Sequence, residues 1–288
     1  MKQIENIISH LQCPLCKGSL SDFPDHMECG ACKKAYAKEG GKIFFIGSVF
    51  SRKDSAPSKD IKNFFKRWPN FYHWIAFVFG PAMYTGLSPK KFLEKYPSKT
   101  MVFNMGSGPR IINSDCVNMD LFPYKNVDIV ADILHMPLKD KTVSRIICDT
   151  VVEHLASPSS VLKECGRVLS DDGLAYITAP FLYPYHSSPD DFFRWTKQGF
   201  IKELDNNGLE AVETDVRIGP LSVLTVYASY IFALLFSFGS DRLFWILVNA
   251  SIFIFFPIKI LDFFVARMKN AEHLSSVLYY VVKKKSNT

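Results

Sequence analysis

Residues 101–120 run MVFNMGSGPRIINSDCVNMD, and the turn Gly106-Ser107-Gly108 at their centre decides the fold. A short apolar run, Met101 to Asn104, precedes the turn; another, Cys116 to Asp120, follows it and ends in a carboxylate. Glycines directly after a strand let the backbone approach a ligand closely. Further out, Val127 to Asp132 and Val143 to Asp149 form a third and a fourth strand, each again ending in an acid, and Leu174 to Ala179 a fifth. Before the fifth, Val161, Leu162, Cys165, Val168 and Leu169 recur at helical spacing behind a Ser157-Pro158 start. Strands alternating with helices give an α/β chain with a doubly wound, mostly parallel sheet. Ligands of such sheets lie at the carboxyl ends of the strands. Gly108 is followed by Pro109 and Arg110, so the third glycine of a dinucleotide fingerprint is missing. That argues against a pyrophosphate ligand.

The stretches N-M-G-S-G-P at 104–109, V-D-I-V-A-D-I-L-H-M-P at 127–137, V-V-E-H-L at 151–155 and R-V-L-S-D-D-G at 167–173, together with Asp120, carry a resemblance. They resemble the class I S-adenosyl-L-methionine (SAM)-dependent methyltransferases, in the type 11 group, over residues 100–217. The resemblance implies a Rossmann-like fold with SAM as cofactor. It places Gly106 and Gly108 against the methionine part of SAM, Asp120 on the ribose hydroxyls, Asp132 and Ile133 beside the adenine, and Asp149 near the reacting methyl. Asn104 stands where the family usually has an acid, so its hydrogen bond to the cofactor or to water is weaker. Eleven residues separate Gly108 from Asp120 and six separate Asp120 from Val127, too few for full crossover helices. The first two helices of the family are therefore expected to be trimmed or missing.

After the fifth strand comes APFLYPYHSSPDDFFRWTKQGF. It is similar to the H-x-x-P-x-D-[FY]-x-R-[FW]-T stretch of a subset of these methyltransferases. A loop here reaches over the cleft, which puts His186 where it could take a proton from an acceptor. The alternative for His186 is a lid residue bonded to Asp190 or Asp191. Asp191 and Arg194 are expected to pair and hold the loop shut. Thr196 is expected to cap the next helix, with Phe200, Ile201 and Leu204 facing inward. His154, following Glu153, suits a structural role at a helix start.

Near the N-terminus, Cys13 and Cys16 form one C-x2-C pair, and Cys29 and Cys32 another. Two such turns can surround one Zn²⁺ with four thiolates, with Gly18 and Gly30 available for unusual backbone angles. A set of four cysteines leaves no open position, so the metal is structural, and a segment this short depends on it for folding. Its L-x-C-P-x-C-x-G start and C-x2-C-x3-Y end resemble the zinc-ribbon proteins that activate tRNA and protein methyltransferases. The resemblance covers residues 1–46.

Residues 50–67 are polar and basic, and 68–86, WPNFYHWIAFVFGPAMYTG, are aromatic. This linker, 47–98, suits either a membrane interface or a helix packed on the catalytic domain. From Ile218 to Ser240 and from Leu243 to Ile258 no residue is charged. The first stretch is long enough to span a bilayer and the second is marginal. The short turn around Asp241 and Arg242 makes them an antiparallel hairpin, 218–273, with both ends on one side. Leu209 to Arg217 and Val277 to Val282 then form an antiparallel edge pair. The hairpin is thus an insertion in a catalytic domain made of 99–217 and 274–288.

The net charge of +6 over 288 residues is too mild to mark a nucleic-acid binder. No secretory signal opens the chain, and Cys116, Cys148 and Cys165 are scattered, which fits a reducing compartment. The expectation is a membrane-attached methyltransferase with its catalytic domain in the cytoplasm. It contacts membrane lipid and acts on a lipid-linked or glycan-type acceptor. Two other readings stay open: an RNA methyltransferase that grips its substrate with the ribbon, and an inactive membrane scaffold.

Overall fold

A computed structural model describes residues 7–46, 80, 82–98, 100–186 and 190–286. The basic linker and most of the aromatic segment, 47–79, lie outside the described residues.

The glycine turn sits at the centre of the sheet. β1 (Leu20–Asp22), β2 (His26–Cys29), β3 (Ala35–Glu39) and β4 (Lys42–Phe44) come from the cysteine-bearing segment. The catalytic strands are β5 (Val102–Met105), β6 (Cys116–Asp120), β7 (Ile129–Val130), β8 (Val143–Cys148), β9 (Leu169–Pro180), β10 (Leu209–Ile218) and β11 (Val277–Lys284). All eleven form one sheet in the order β1-β2-β3-β4-β7-β6-β5-β8-β9-β11-β10. β5 to β9 are mutually parallel, and β11 lies antiparallel between β9 and β10. Strand order reverses between β5 and β8, and the carboxyl ends of these two strands open the crevice where a ligand binds.

Among the described residues three α-helices accompany β5 to β10. α1 (Pro89–Lys95) precedes β5, α2 (Pro158–Val168) joins β8 to β9, and α3 (Lys197–Asn206) joins β9 to β10. No helix lies between β5 and β6 or between β6 and β7, as the short links require. α2 buries Val161, Leu162, Cys165 and Val168 against the face of the sheet that carries Ile146. α1 covers the opposite face, where Phe92 meets Ile147, Tyr176 and Val281. Each fully buried aliphatic side chain of this kind contributes about 1.5–3 kcal/mol. Thr196 caps α3 by accepting from Gly199 N, and Phe200 and Leu204 are buried. Ile201 is the exception to the expected inward face: it is half-exposed, because α3 turns only a narrow stripe toward the sheet.

The cysteine segment shares the catalytic sheet. β4 pairs in parallel with β7 through Ile43–Ile129 and Phe44–Val130. Leu11, Met27, Tyr36 and Ile43 belong to the same core as Ile129, Met136 and Leu138. Gln12 donates to Leu138 O at 2.8 Å, and Lys42 Nζ donates to Tyr124 O, Lys125 O and Val127 O.

Between β10 and β11 stand α4 (Pro220–Phe236), α5 (Asp241–Ile260) and the short α6 (Asp262–Val265). Thr225 Oγ1 of α4 donates to Phe255 O of α5, and Ser251 Oγ of α5 donates to Ser229 O of α4, so the two long helices run antiparallel. Their relative lengths correct the expectation. Among the described residues α5, with 20 residues, is the one helix long and apolar enough to cross a membrane, whereas α4 is shorter. Ile218 is still paired in β10, Gly219 is a cap, and left-handed Phe238 and Gly239 lie in the turn beyond α4.

Candidate functional site

The glycine turn is conformationally demanding. Gly106 and Gly108 both have positive φ, +62° and +56°. A Cβ on Gly106 would come within 2.6 Å of Val151 Cγ2, whereas Gly108 faces open space. The carboxylate of Asp120, at the end of β6, accepts from Gly108 N at 2.8 Å and from Phe122 N at 2.9 Å. Each carboxylate oxygen keeps a further lone pair. The structure therefore brings Gly106, Gly108 and Asp120 together at the crevice.

The other residues expected at the cofactor are placed differently. Asn104 is buried, and its side chain donates to Asn118 Oδ1 on β6 at 2.9 Å, tying two strands together. Asp132 caps a short turn by accepting from Leu134 N, and Ile133 in that turn is buried. Asp149, just past β8, accepts from Thr178 Oγ1 at 3.0 Å and faces Arg110 across 3.9 Å. Arg110 thus connects the glycine turn to Asp149.

Thr150 has a φ of +64°, and its N–H donates to Thr178 Oγ1 at 2.8 Å. A β-branched residue in this region is strained. The bend turns the chain into a 3-10 turn, Val152–His154, beneath the acceptor loop. Glu153 there is 1% exposed, and burial pushes its carboxyl up to about 7. His154 Nδ1 lies 2.5 Å from Asp190 O.

His186 belongs to this second group and not to the glycine turn. Its backbone N–H donates to Asp191 Oδ2 at 2.8 Å, and its ring meets Tyr183 and His154 edge-on, with centroids 4.9 and 5.2 Å away. Burial lowers its pKa, against the pull of the Asp191 carboxylate. Arg194 grips Asp191 through two bonds, 2.5 and 2.6 Å, and donates to Tyr183 O and Pro184 O. Burial works to raise Asp191, but the bonds from Arg194 and His186 hold it below the ordinary carboxylate range. This is the loop clamp read from the sequence. The sequence reading gave Glu153 no chemical role; the one signal for it is the Glu-His dipeptide directly after a strand.

The four cysteines also converge. Cys13 Sγ lies 3.7 Å from Cys32 Sγ, and Cys16 Sγ lies 3.4 Å from Cys29 Sγ. These spacings are far longer than a disulfide and close to the roughly 3.8 Å that tetrahedral Zn–S bonds of about 2.3 Å require. Burial works to raise the Cys13 thiol, but the Tyr36 hydroxyl at 3.0 Å and nearby backbone N–H groups hold it down at about 6. The left-handed residues of the two turns are Lys17 and Lys33, each with φ of 59°, and not Gly18 or Gly30 as expected. Gly18 is needed for space: a Cβ would sit 2.9 Å from Ala31 Cβ and 3.0 Å from Cys29 Sγ.

Residues 112–177 match the family model described as "Methyltransferase domain". This segment marks a methyltransferase domain. The match begins just past the glycine turn and ends within β9. An uncharacterized protein of Methanocaldococcus jannaschii is 26% identical over 134 residues, 40% of this chain and 58% of that protein, so the chain spans little more than half of this relative. The chain is similar in shape to the complex between the Haloferax volcanii Trm112 methyltransferase activator and a proposed methyltransferase, at 15% identity and TM-score 0.45, covering 79% of this chain and 99% of that one. It is also similar to the Burkholderia thailandensis 1,6-didemethyltoxoflavin-N1-methyltransferase, at 9% identity and TM-score 0.43, covering 88% of this chain and 97% of that one.

Proposed function

We propose that the chain transfers the methyl group of SAM to an acceptor carried at a membrane surface, with a structural Zn²⁺ in its four-cysteine cluster. The observation that carries the membrane part is the inverted packing of the hairpin. Its buried residues are mostly small or hydroxylated, Ser222, Thr225, Ser229, Ala233 and Ser251 beside Val226, Val248 and Lys259, while Leu234, Phe236, Trp245, Phe253 and Ile254 point outward. Small and hydroxylated residues between helices, with large apolar ones outside, is the arrangement of helices in lipid. In water the same exterior would be a costly exposed patch.

The hairpin leaves the sheet at the end where the acceptor loop lies. Val277 pairs with Pro180, Phe181 N donates to Ser276 O, and Ser276 N donates to Ile218 O. A membrane holding α4 and α5 would therefore lie on the side of the crevice, which favours an acceptor presented by lipid. Gly106 and Gly108 give a close backbone approach, and Asp120 offers acceptor lone pairs for ribose hydroxyls. Asp132 and Ile133 stand for the adenine, and Asp149 for the region of the methyl. SAM supplies a methyl already activated on a sulfonium, so alignment and exclusion of water account for most of the catalysis. The Asp191–Arg194 clamp fixes the loop that excludes water, and His186 lines the acceptor side.

The test is SAM consumption with fractionated lipid extract. Turnover is expected with a lipid fraction, and Asp120→Ala should reduce it strongly at limiting SAM. Turnover on RNA or a soluble acceptor, with none on any lipid fraction, would overturn the reading.

A further inference from the structure

We propose that Glu153, His154 and His186 form a second metal site, which takes a divalent transition ion and leaves coordination positions open for an acceptor hydroxyl. One carboxylate and two imidazoles are the donor set of open, reactive metal centres, in contrast to the closed set of four thiolates. One ligand atom from each residue lies within 4.8 Å of the other two. His154 Nε2 and Glu153 Oε1 are 3.9 Å apart. Ligands on an ion at about 2.0–2.2 Å stand roughly 3–3.5 Å from one another, so the widest separation among the three must close by up to about 1.3–1.8 Å.

Three features favour a bound cation here. First, Glu153 is 1% exposed, and its Oε2 is buried without a hydrogen-bond partner among the described residues. Leaving such a group unsatisfied costs about 1–3 kcal/mol, which an ion would offset. Second, the tautomer of His154 is fixed. Asp190 O can only accept, so Nδ1 carries the proton and Nε2 presents its lone pair on the side of Glu153. A ligating histidine is commonly held in this way by a carbonyl on its other nitrogen. Third, the charge balance suits a cation. Arg194 lies 3.3 Å from His186 Nδ1, but it is already paired with Asp191 through two bonds, which leaves the Glu153 carboxyl without a lysine or arginine partner among the described residues. With Nδ1 of His186 turned toward Asp191, Pro184 O and Arg194, Nε2 is the nitrogen available to the ion.

The role in methyl transfer rests on the function proposed above; the binding of the ion does not. An acceptor hydroxyl held by the ion releases its proton to water more readily. Its oxygen then forms the new C–O bond as the S–C bond of SAM breaks, giving a methyl ether and neutral S-adenosylhomocysteine.

The experiment uses the full chain in detergent with its cysteine cluster already filled by zinc. Zn²⁺ and Mn²⁺ are titrated in separately, and bound metal is counted per chain. One further saturable equivalent of either ion is expected. Glu153→Gln and His154→Ala should each weaken it at least about tenfold. Asp120→Ala, which serves SAM, should leave it unchanged, so a failure of the SAM reading and a failure of the metal site are told apart. Near-ultraviolet circular dichroism and zinc content identify any variant that has unfolded, and His186→Gln provides a second test from another loop. Bound Mn²⁺ should enhance water-proton relaxation, as open positions require. No second equivalent of either ion, binding indifferent to all three substitutions, or bound Mn²⁺ without relaxation enhancement overturns the proposal.

Discussion

The carboxylate of Asp120 holds the backbone nitrogen of Gly108 at 2.8 Å, so the group that would bind the cofactor's ribose also shapes the turn beneath it. One residue thus sets both the loop and the ligand contact. Asp120→Ala is expected to weaken SAM binding by one to two orders of magnitude, since hydrogen bonds to a charged group are worth about 1.5–3 kcal/mol. Calorimetry measures this directly, and unchanged affinity would remove the cofactor assignment.

Gly106 and Gly108 separate strain from crowding. Both substitutions by alanine incur the left-handed cost of about 1–2 kcal/mol. Gly106→Ala also drives a methyl to within 2.6 Å of Val151, whereas Gly108→Ala meets nothing within 4 Å. Gly106→Ala should therefore be the less stable variant by a further 1–3 kcal/mol or so. Adding Val151→Ala should recover part of that difference in denaturant unfolding. Equal stabilities for the two single variants would show that the contact with Val151 has no weight.

Removing the metal from the cysteine cluster should destabilise the whole chain. β4 is hydrogen-bonded to β7, and Tyr36 and Ile43 share the catalytic core. Chelation, or Cys13→Ser, is expected to lower a single cooperative transition in calorimetry. A separate early melt of residues 7–46, with the rest unmoved, is the contrary result. Tyr36→Phe removes only the bond to Cys13 Sγ and should cost about 0.5–1.5 kcal/mol.

Glu213 ties α1 to the far edge of the sheet. It accepts from Lys95 Nζ at 2.7 Å, Tyr96 OH at 2.5 Å and Tyr279 OH at 2.9 Å. Burial works to raise its pKa, but the bonds from Lys95, Tyr96 and Tyr279 hold it below the ordinary value. A carboxyl depressed in the folded state adds stability above its unfolded pKa of about 4.3, and that stability is lost as pH falls through the folded value. Glu213→Gln should cost about 1–2 kcal/mol at neutral pH. The gap to wild type should narrow steadily in urea titrations as the buffer is taken below pH 4.3 or so. A gap independent of pH would assign the effect to packing.

The hairpin should bind bilayers without help from the catalytic domain's ligands. The full chain is expected to float with liposomes, and Leu234→Asp with Phe253→Asp should release it while SAM affinity stays the same. A wild-type chain that remains monomeric in buffer without detergent would count against lipid contact.

Much of the crevice was legible in the order of residues. Strand runs ending in Asp120 and Asp149, the turn at Gly106 and Gly108, and the cap at Thr196 depend on spacing that local chemistry fixes. So does the absence of helices from the links on either side of β6, because too few residues separate the strands. The lengths of α4 and α5 were misjudged. Ile218 is apolar in either setting, and only its pairing with Val277 assigns it to a strand. Lys17 and Lys33 were missed because a left-handed lysine leaves no compositional trace.

The sequence alone determined the parallel α/β core, the four-cysteine cluster and the apolar pair of helices, since each follows from periodicity or from residue types at short range. Tertiary structure alone decided that β4 joins β7 and that Glu153 and His154 meet His186. Those partners are separated by tens of residues, and no local preference encodes which strand edge or which loop will close on which. Burial of a shared core and the satisfaction of backbone hydrogen bonds settle that only once the whole chain has folded.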